Sequence, residues 1–192
     1  SKYNGFQTNS FVQVNGVIIT NLINAGTVST QGVQADFRAR PAAGLMVSGG
    51  VAYTDAKIDK FNCPTGAPLT CSYPNGKPLP YAPKYKAVLN ASYELQTSLP
   101  FAVSLNTNYS WQSSQQMDIG ESPYTVQPAY GLWNAGIKFS NSSDTYSVSL
   151  VLQNILNKFY ATALVPDSAT GVVNGVVVPT TTFVRIQTAE DS

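Results

Sequence analysis

Val33-Gln34-Ala35-Asp36-Phe37-Arg38-Ala39-Arg40, the connection Pro41-Ala42-Ala43-Gly44, and the return Leu45-Met46-Val47-Ser48-Gly49-Gly50-Val51-Ala52-Tyr53-Thr54 decide the fold. Successive side chains of a β-strand point to opposite faces. Val33, Ala35, Phe37 and Ala39 therefore share one face, and Gln34, Asp36, Arg38 and Arg40 share the other. The return strand sets Leu45, Val47, Gly49, Val51 and Tyr53 against Met46, Ser48, Gly50, Ala52 and Thr54. The wider stretch from Thr27 to Asp59 reads as one long hairpin. Strands of soluble domains usually run about five to six residues. A strand crossing a bilayer at a tilt needs about nine to eleven, and the length here favours a membrane barrel wall over a long soluble sandwich.

Downstream the same two-faced pattern repeats. Tyr85, Ala87, Leu89, Ala91, Tyr93 and Leu95 alternate with Lys86, Val88, Asn90, Ser92 and Glu94. Phe101, Val103, Leu105, Thr107, Tyr109 and Trp111 alternate with Ala102, Ser104, Asn106, Asn108, Ser110 and Gln112. Ala129, Trp133, Ala135, Ile137 and Phe139 stand against Tyr130, Asn134, Lys138 and Ser140, and Tyr146, Val148, Leu150 and Leu152 against Ser147, Ser149 and Gln153. A second row this polar has no place in a soluble core. Upstream, Tyr3 to Val14 reads as a strand, Asn15-Gly16 as a two-residue hairpin turn, and Val17 to Leu22 as its local partner, with a boundary at Asn24 to Thr27. At the other end, Val172 to Val178 and Thr180 to Thr188 are predicted to pair with each other.

The connections sort by length. Pro41 to Gly44, Gln96 to Pro100 and Asn141 to Asp144 are short, whereas the stretches between them, Pro-rich around Pro64 to Pro83 and turn-rich around Gln116 to Gln127, are long. Outer-membrane barrels have brief periplasmic turns and long extracellular loops. Aromatic residues form two bands, Phe37, Tyr93, Phe101, Phe139 and Tyr146 toward the short turns and Tyr53, Tyr85, Tyr109, Trp111 and Trp133 toward the long loops, as bilayer interfaces select.

Composition narrows the function. Of 192 residues only 11% are charged, although 43% are hydrophobic; soluble domains carry roughly 25% charged residues. A net charge of +1 without a basic run disfavours a nucleic-acid partner. No run of about 18 apolar residues offers a transmembrane helix, so strands alone could span a membrane. Histidine is absent. The carboxylates Asp36, Asp55, Asp59, Glu94, Asp118 and Glu121 do not combine with a nucleophile and base in one motif, and no catalytic residue, metal site or cofactor is predicted. Cys63 and Cys71, the two cysteines, bracket a short turn-rich loop and are read as a disulfide of an oxidising compartment.

Four segments in order resemble the C-terminal part of the β-barrel of TonB-dependent outer-membrane receptors. They are Asn24-Ala25-Gly26-Thr27 with Gly32-Val33-Gln34-Ala35-Asp36-Phe37, Tyr53-Thr54-Asp55-Ala56, Pro80-Tyr81-Ala82-Pro83-Lys84-Tyr85-Lys86, and Gln153-Asn154-Ile155-Leu156-Asn157-Lys158-Phe159-Tyr160. Gln34 stands where the family usually has Glu. The resemblance implies a parent chain with an N-terminal plug and an energy-coupling segment contacting TonB, around a bacterial outer-membrane barrel of about 22 strands. Residues 1–192 would be a segment of that barrel domain, about seven strands without the plug or the closing strand.

Candidate ligand contacts are the loop residues Tyr73, Asn75, Tyr81, Gln115, Gln116, Tyr124 and Gln127, whose aromatic faces and amides suit sugars or aromatic chelates. Gln34, Asp36, Arg38, Arg40, Lys86, Asn106, Asn108 and Lys138 are expected to face the lumen, with Arg38, Arg40, Lys86 and Lys138 near the short-turn end, where plug contact and simple solvation are the rival readings. Three readings stay open: an energy-coupled importer of a scarce siderophore–metal chelate, vitamin or oligosaccharide; a passive porin or adhesin barrel; and a secreted β-sandwich binding module.

Overall fold

The structure, a computed structural model, describes residues 1–14, 17–62, 75–95, 100–118, 123–141, 143, 145–167, 172–173, 176–177 and 183–188. In chain order the strands are β1 (Lys2–Val14), β2 (Val17–Ala42), β3 (Leu45–Phe61), β4 (Tyr85–Leu95), β5 (Phe101–Gln112), β6 (Gln115–Gln116), β7 (Val126–Gln127), β8 (Tyr130–Asn141), β9 (Ser147–Leu152), β10 (Ala161–Asp167), β11 (Val172–Val173), β12 (Val176–Val177) and β13 (Phe183–Thr188). A 3-10 turn covers Pro123–Thr125. The main sheet has seven antiparallel strands in the order β1-β2-β3-β4-β5-β8-β9, each beside its predecessor in the wall. This is the up-and-down wall expected from the alternation.

Register decides the faces. On β2 and β3, Val33 pairs with Tyr53, Ala35 with Val51, Phe37 with Gly49 and Ala39 with Val47. The same parity carries through Val51↔Ala87 and Leu89↔Tyr109 to Tyr109↔Trp133 and Ile137↔Leu150. One apolar row thus runs from β2 to β9 without a slip, and a slip of one residue anywhere would have exchanged the faces. Val33, Val148 and Leu150 on this row are 73%, 73% and 61% exposed, whereas Val103, near the short turns, is buried.

Thr107 is a polar member of the apolar row. Its hydroxyl donates to the Asn134 carbonyl at 3.0 Å and accepts from the Trp133 indole N–H at 2.6 Å. Both polar groups are thereby satisfied within the sheet.

Three expectations need correction. The boundary at Asn24 to Thr27 does not exist: β2 is one strand of 26 residues. Gly26 is accommodated by a bulge, with φ of +120° and a register shift between Thr27 and Val28. An added Cβ there would run into the Lys60 carbonyl oxygen. The tail also pairs differently. Phe183–Thr188 lies against Ala161–Asp167, while Val172–Val173 and Val176–Val177 pair with each other. Finally, the turn-rich stretch before β8 contains a ladder of its own, Gln115↔Gln127 and Gln116↔Val126. The tight turn at Ala43-Gly44 is as expected, with Gly44 at φ of +75°.

The buried apolar clusters lie at the long-loop end. Val28, Ile58 and Phe61 pack with Phe6 and Leu79, and Met117, Ala161 and Leu164 form a second group.

Candidate functional site

The polar face of the wall is built in rungs, because residues opposite one another in adjacent strands share a face. The rung nearest the long loops holds Gln34, Ala52, Lys86, Gln112 and Tyr130, so Lys86, the second residue of β4, lies at the long-loop end and not near the short turns as expected. The next holds Asp36, Gly50, Val88, Ser110 and Leu132, and the third Arg38, Ser48, Asn90, Asn108 and Asn134. Asn106 follows beside Ser92 and Gly136, and Lys138 lies nearer the short turns, between Ser104 and Ser149. Arg40 is exposed and falls where the β2–β3 register shifts between Ala39 and Ala42.

Side chains on this face bond to one another. Gln34 Nε2 donates to Asp36 Oδ2 at 2.8 Å, and Arg38 reaches the Met46 sulfur with Nε and Nη2 at 3.2 and 3.0 Å. On the third rung Asn108 Nδ2 donates to Asn90 Oδ1 at 2.7 Å, and Asn134 Nδ2 to Asn108 Oδ1 at 3.5 Å. Asn134 Oδ1 in turn accepts the Asn154 N–H at 2.9 Å.

This amide chain crosses three strands and ends where β9 breaks off. Asn154 has φ of +45°, tolerable for an asparagine, and its side chain closes the following turn onto Lys158 N and O. Sequence reading placed Asn90 and Asn134 on the polar face but not in one rung with Asn108, since that requires the register of three strands. A groove of about 410 Å³ runs beside the chain, lined among others by Ser48, Asn90, Asn106, Asn108, Asn134 and Lys138. Amides and hydroxyls share its lining with apolar side chains such as Met46, Ile137 and Leu150.

At the long-loop end three connections are laced together. The segment 75–79 returns along the upper half of β3: Gly76 N donates to Ile58 O, Ile58 N to Lys77 O and Leu79 N to Ala56 O, at 2.7 to 3.0 Å. Pro78 and Pro80 have no N–H to give, so the donors come from Gly76 and Leu79. Asn75 Oδ1 accepts the Phe61 N–H at 2.7 Å.

The chain then kinks at Tyr81, which has φ of +60°, and the Tyr81 N–H donates to Gln116 O in the neighbouring loop at 2.8 Å. Gln116 Oε1 accepts from Met117 N, Asp118 N and Thr125 Oγ1, and Thr125 is fully buried. Gln127, 5% exposed, accepts the Ala161 N–H at 2.8 Å with Oε1 and donates to Pro128 O with Nε2. Tyr130 and Tyr160 stack at 4.6 Å across the same junction.

Among the predicted ligand contacts, then, the amides of Asn75, Gln116 and Gln127 are engaged in holding the loops. Gln115 is half-buried, while Tyr81 and Tyr124 are 51% and 64% exposed. Tyr73, Cys63 and Cys71, and with them the expected disulfide, lie outside the described residues, as does Glu121. Thr125 and the Tyr130–Tyr160 pair are structural elements that sequence reading missed.

Of the carboxylates, Asp55 sits 2.8 Å from Lys57 Nζ, and Asp59 accepts the Ser29 hydroxyl at 2.7 Å. The hydrogen bond from Lys57 holds Asp55 below the usual carboxylate range, and the same bond raises Lys57. Both lie above the Tyr53–Tyr85 ring pair, outside the apolar band. Among the described residues no group of three His, Cys, Asp or Glu side chains could hold a metal ion.

A family model described as "TonB dependent receptor-like, beta-barrel" matches residues 1–155. No curated protein matches the sequence. Similar solved structures include the ferric yersiniabactin uptake receptor of Yersinia pestis, at 17% identity and a TM-score of 0.63 over 88% of this chain and 23% of that one. The siderophore receptor PiuA of Acinetobacter baumannii is similar at 19% identity and a TM-score of 0.58, covering 95% of this chain and 22% of that one. The ferric preacinetobactin receptor BauA of the same organism gives 19% identity and a TM-score of 0.57, over 81% and 22%. The chain thus spans less than a quarter of the length of each of these three.

Proposed function

We infer the function from one premise: this chain belongs to the TonB-dependent receptor β-barrel family. It is a section of the barrel wall of a bacterial outer-membrane active importer. One observation carries this reading, the seven-stranded wall with a mostly apolar row held in register on one face and rungs rich in amides and hydroxyls on the other. An open sheet of this kind cannot stay in lipid with its edges unpaired, so the remaining strands belong to the rest of the parent barrel. The plug of the same parent chain fills the lumen against the polar rungs, and TonB supplies energy through the plug side.

The cargo is a siderophore–metal chelate, the class supported by the names of the similar structures; a vitamin or an oligosaccharide belongs to the same size class. Tyr81 and Tyr124, exposed at the outer rim, offer ring faces to the chelate, with Gln115 beside them. Asn75, Gln116 and Gln127 hold the loops that present them.

Uptake of a radiolabelled ferric chelate by cells expressing the full-length protein tests this reading. Uptake should need TonB and should fall when Tyr81→Ala and Tyr124→Ala are combined. Uptake that persists without TonB would make the protein a passive pore instead.

A further inference from the structure

We propose that the lipid-facing side of the wall carries a preformed trough for one acyl chain of a membrane lipid, with Ala35, Val51 and Ala87 as its floor and Phe37, Leu89 and Tyr109 as its walls. This rests on the reading of the sheet as a membrane wall.

The register places the three floor residues directly across from one another on β2, β3 and β4, so short side chains form one continuous strip across three strands. On the short-turn side the next rung is Phe37, Gly49, Leu89 and Tyr109. On the long-loop side the next rung is Val33, Tyr53 and Tyr85, the two tyrosine rings 5.2 Å apart. The trough, open on its outer side, measures about 340 Å³.

Two of the walls are rings seated on glycines of the neighbouring strand. Phe37 lies over Gly49, where an added Cβ would come within 2.8 Å of the ring, and the Tyr109 phenol occupies the place a Cβ would take on Gly131. Covering a strand glycine with an aromatic ring fixes both, so these walls stand beside the floor rather than folding over it. Val51 on the floor remains 59% exposed. Lipid tails are as apolar as the wall, so preference for this place comes from close packing rather than from removal of water. A chain in the trough touches two rungs of side chains on neighbouring strands, whereas one lying over Val148 and Leu150 lies on the outermost strand of the sheet.

The test uses the full-length protein in phosphatidylethanolamine bilayers carrying a photoactivatable diazirine on the acyl chain, with adducts mapped by mass spectrometry. Adducts should be several-fold denser at Val51 and Ala87 than at Val148 and Leu150. Filling the floor with Ala87→Phe, or separately with Val51→Phe, should abolish the excess and leave labelling of Leu150 unchanged. Even labelling of all four positions, or an excess that survives both substitutions, would overturn the trough while leaving the membrane wall intact. Labelling of Asn106 and Asn108 in place of the apolar row would overturn the membrane reading and the trough together.

Discussion

The wall and the outer rim solve the same problem with different materials. In the wall, from β3 to β8, main-chain ladders consume the backbone hydrogen bonds, and side chains are sorted only by parity. In the rim the ladders are short, and side-chain amides take their place: Gln127 answers the Ala161 N–H, Gln116 gathers three donors, and Asn75 ends β3 at Phe61. The wall should therefore tolerate loss of almost any one polar side chain but not a charge on its apolar row. The rim should behave in the opposite way.

The largest effect falls on the wall. Leu105→Arg or Leu150→Arg in the full-length protein should cost about 2–4 kcal/mol in a refolding titration into lipid vesicles if the residue lies at the bilayer midplane. The same change at Asn106 or Ser149 should stay within roughly 0.5 kcal/mol, the range of ordinary surface substitutions. Equal costs on both rows would erase the difference between the faces.

In the rim, Gln127→Ala leaves the buried Ala161 N–H without its acceptor. The cost should be about 1–3 kcal/mol, seen as faster amide hydrogen exchange at Ala161 and along β10, with β4 and β5 unchanged. Exchange rising throughout the wall would mean that the two regions are one cooperative unit.

A smaller effect sharpens the contrast from the wall side. Thr107→Val removes the acceptor of the Trp133 indole and should cost about 0.5–1.5 kcal/mol, with a change in Trp133 emission and no change of exchange in the rim.

The smallest effect belongs to the Asp55–Lys57 pair. Lys57 lowers the Asp55 pKa, so its stabilisation is present above the unfolded value of about 3.9 and fades as pH falls through the lowered folded value. Lys57 is raised, so its part holds below its unfolded value and fades as pH rises through the raised one. Asp55→Asn should flatten the acid limb of the thermal-unfolding profile slightly. An acid limb that Asp55→Asn leaves unchanged would remove the pair from the account.

Legibility in the sequence follows the same division. Residues from Val33 to Tyr53 and from Tyr85 to Trp111 announce their faces because a period of two needs no knowledge of the partner. Gly26 was misleading, since a glycine beside Asn24 reads as a turn, whereas here a bulge absorbs it within a continuous strand. The partner of Phe183–Thr188 was missed because Ala161–Asp167 carries Pro166 and only weak alternation. Gln116 and Gln127 read as exposed loop amides; what they bond depends on the path of loops distant in sequence, which no local pattern encodes. The Asn90, Asn108 and Asn134 chain lay between these cases, its face legible and its rung not.

The central claim is that odd-numbered β5 residues meet lipid and even-numbered ones the lumen. Nitroxide labels placed one at a time from Val103 to Ser110, in the full-length protein with Cys63 and Cys71 replaced by Ser and reconstituted in bilayers, test it directly. Collision with dissolved oxygen should peak at residues 103, 105, 107 and 109 and drop at 104, 106, 108 and 110. A profile without this alternation, or one in which the even positions contact lipid, would contradict the account.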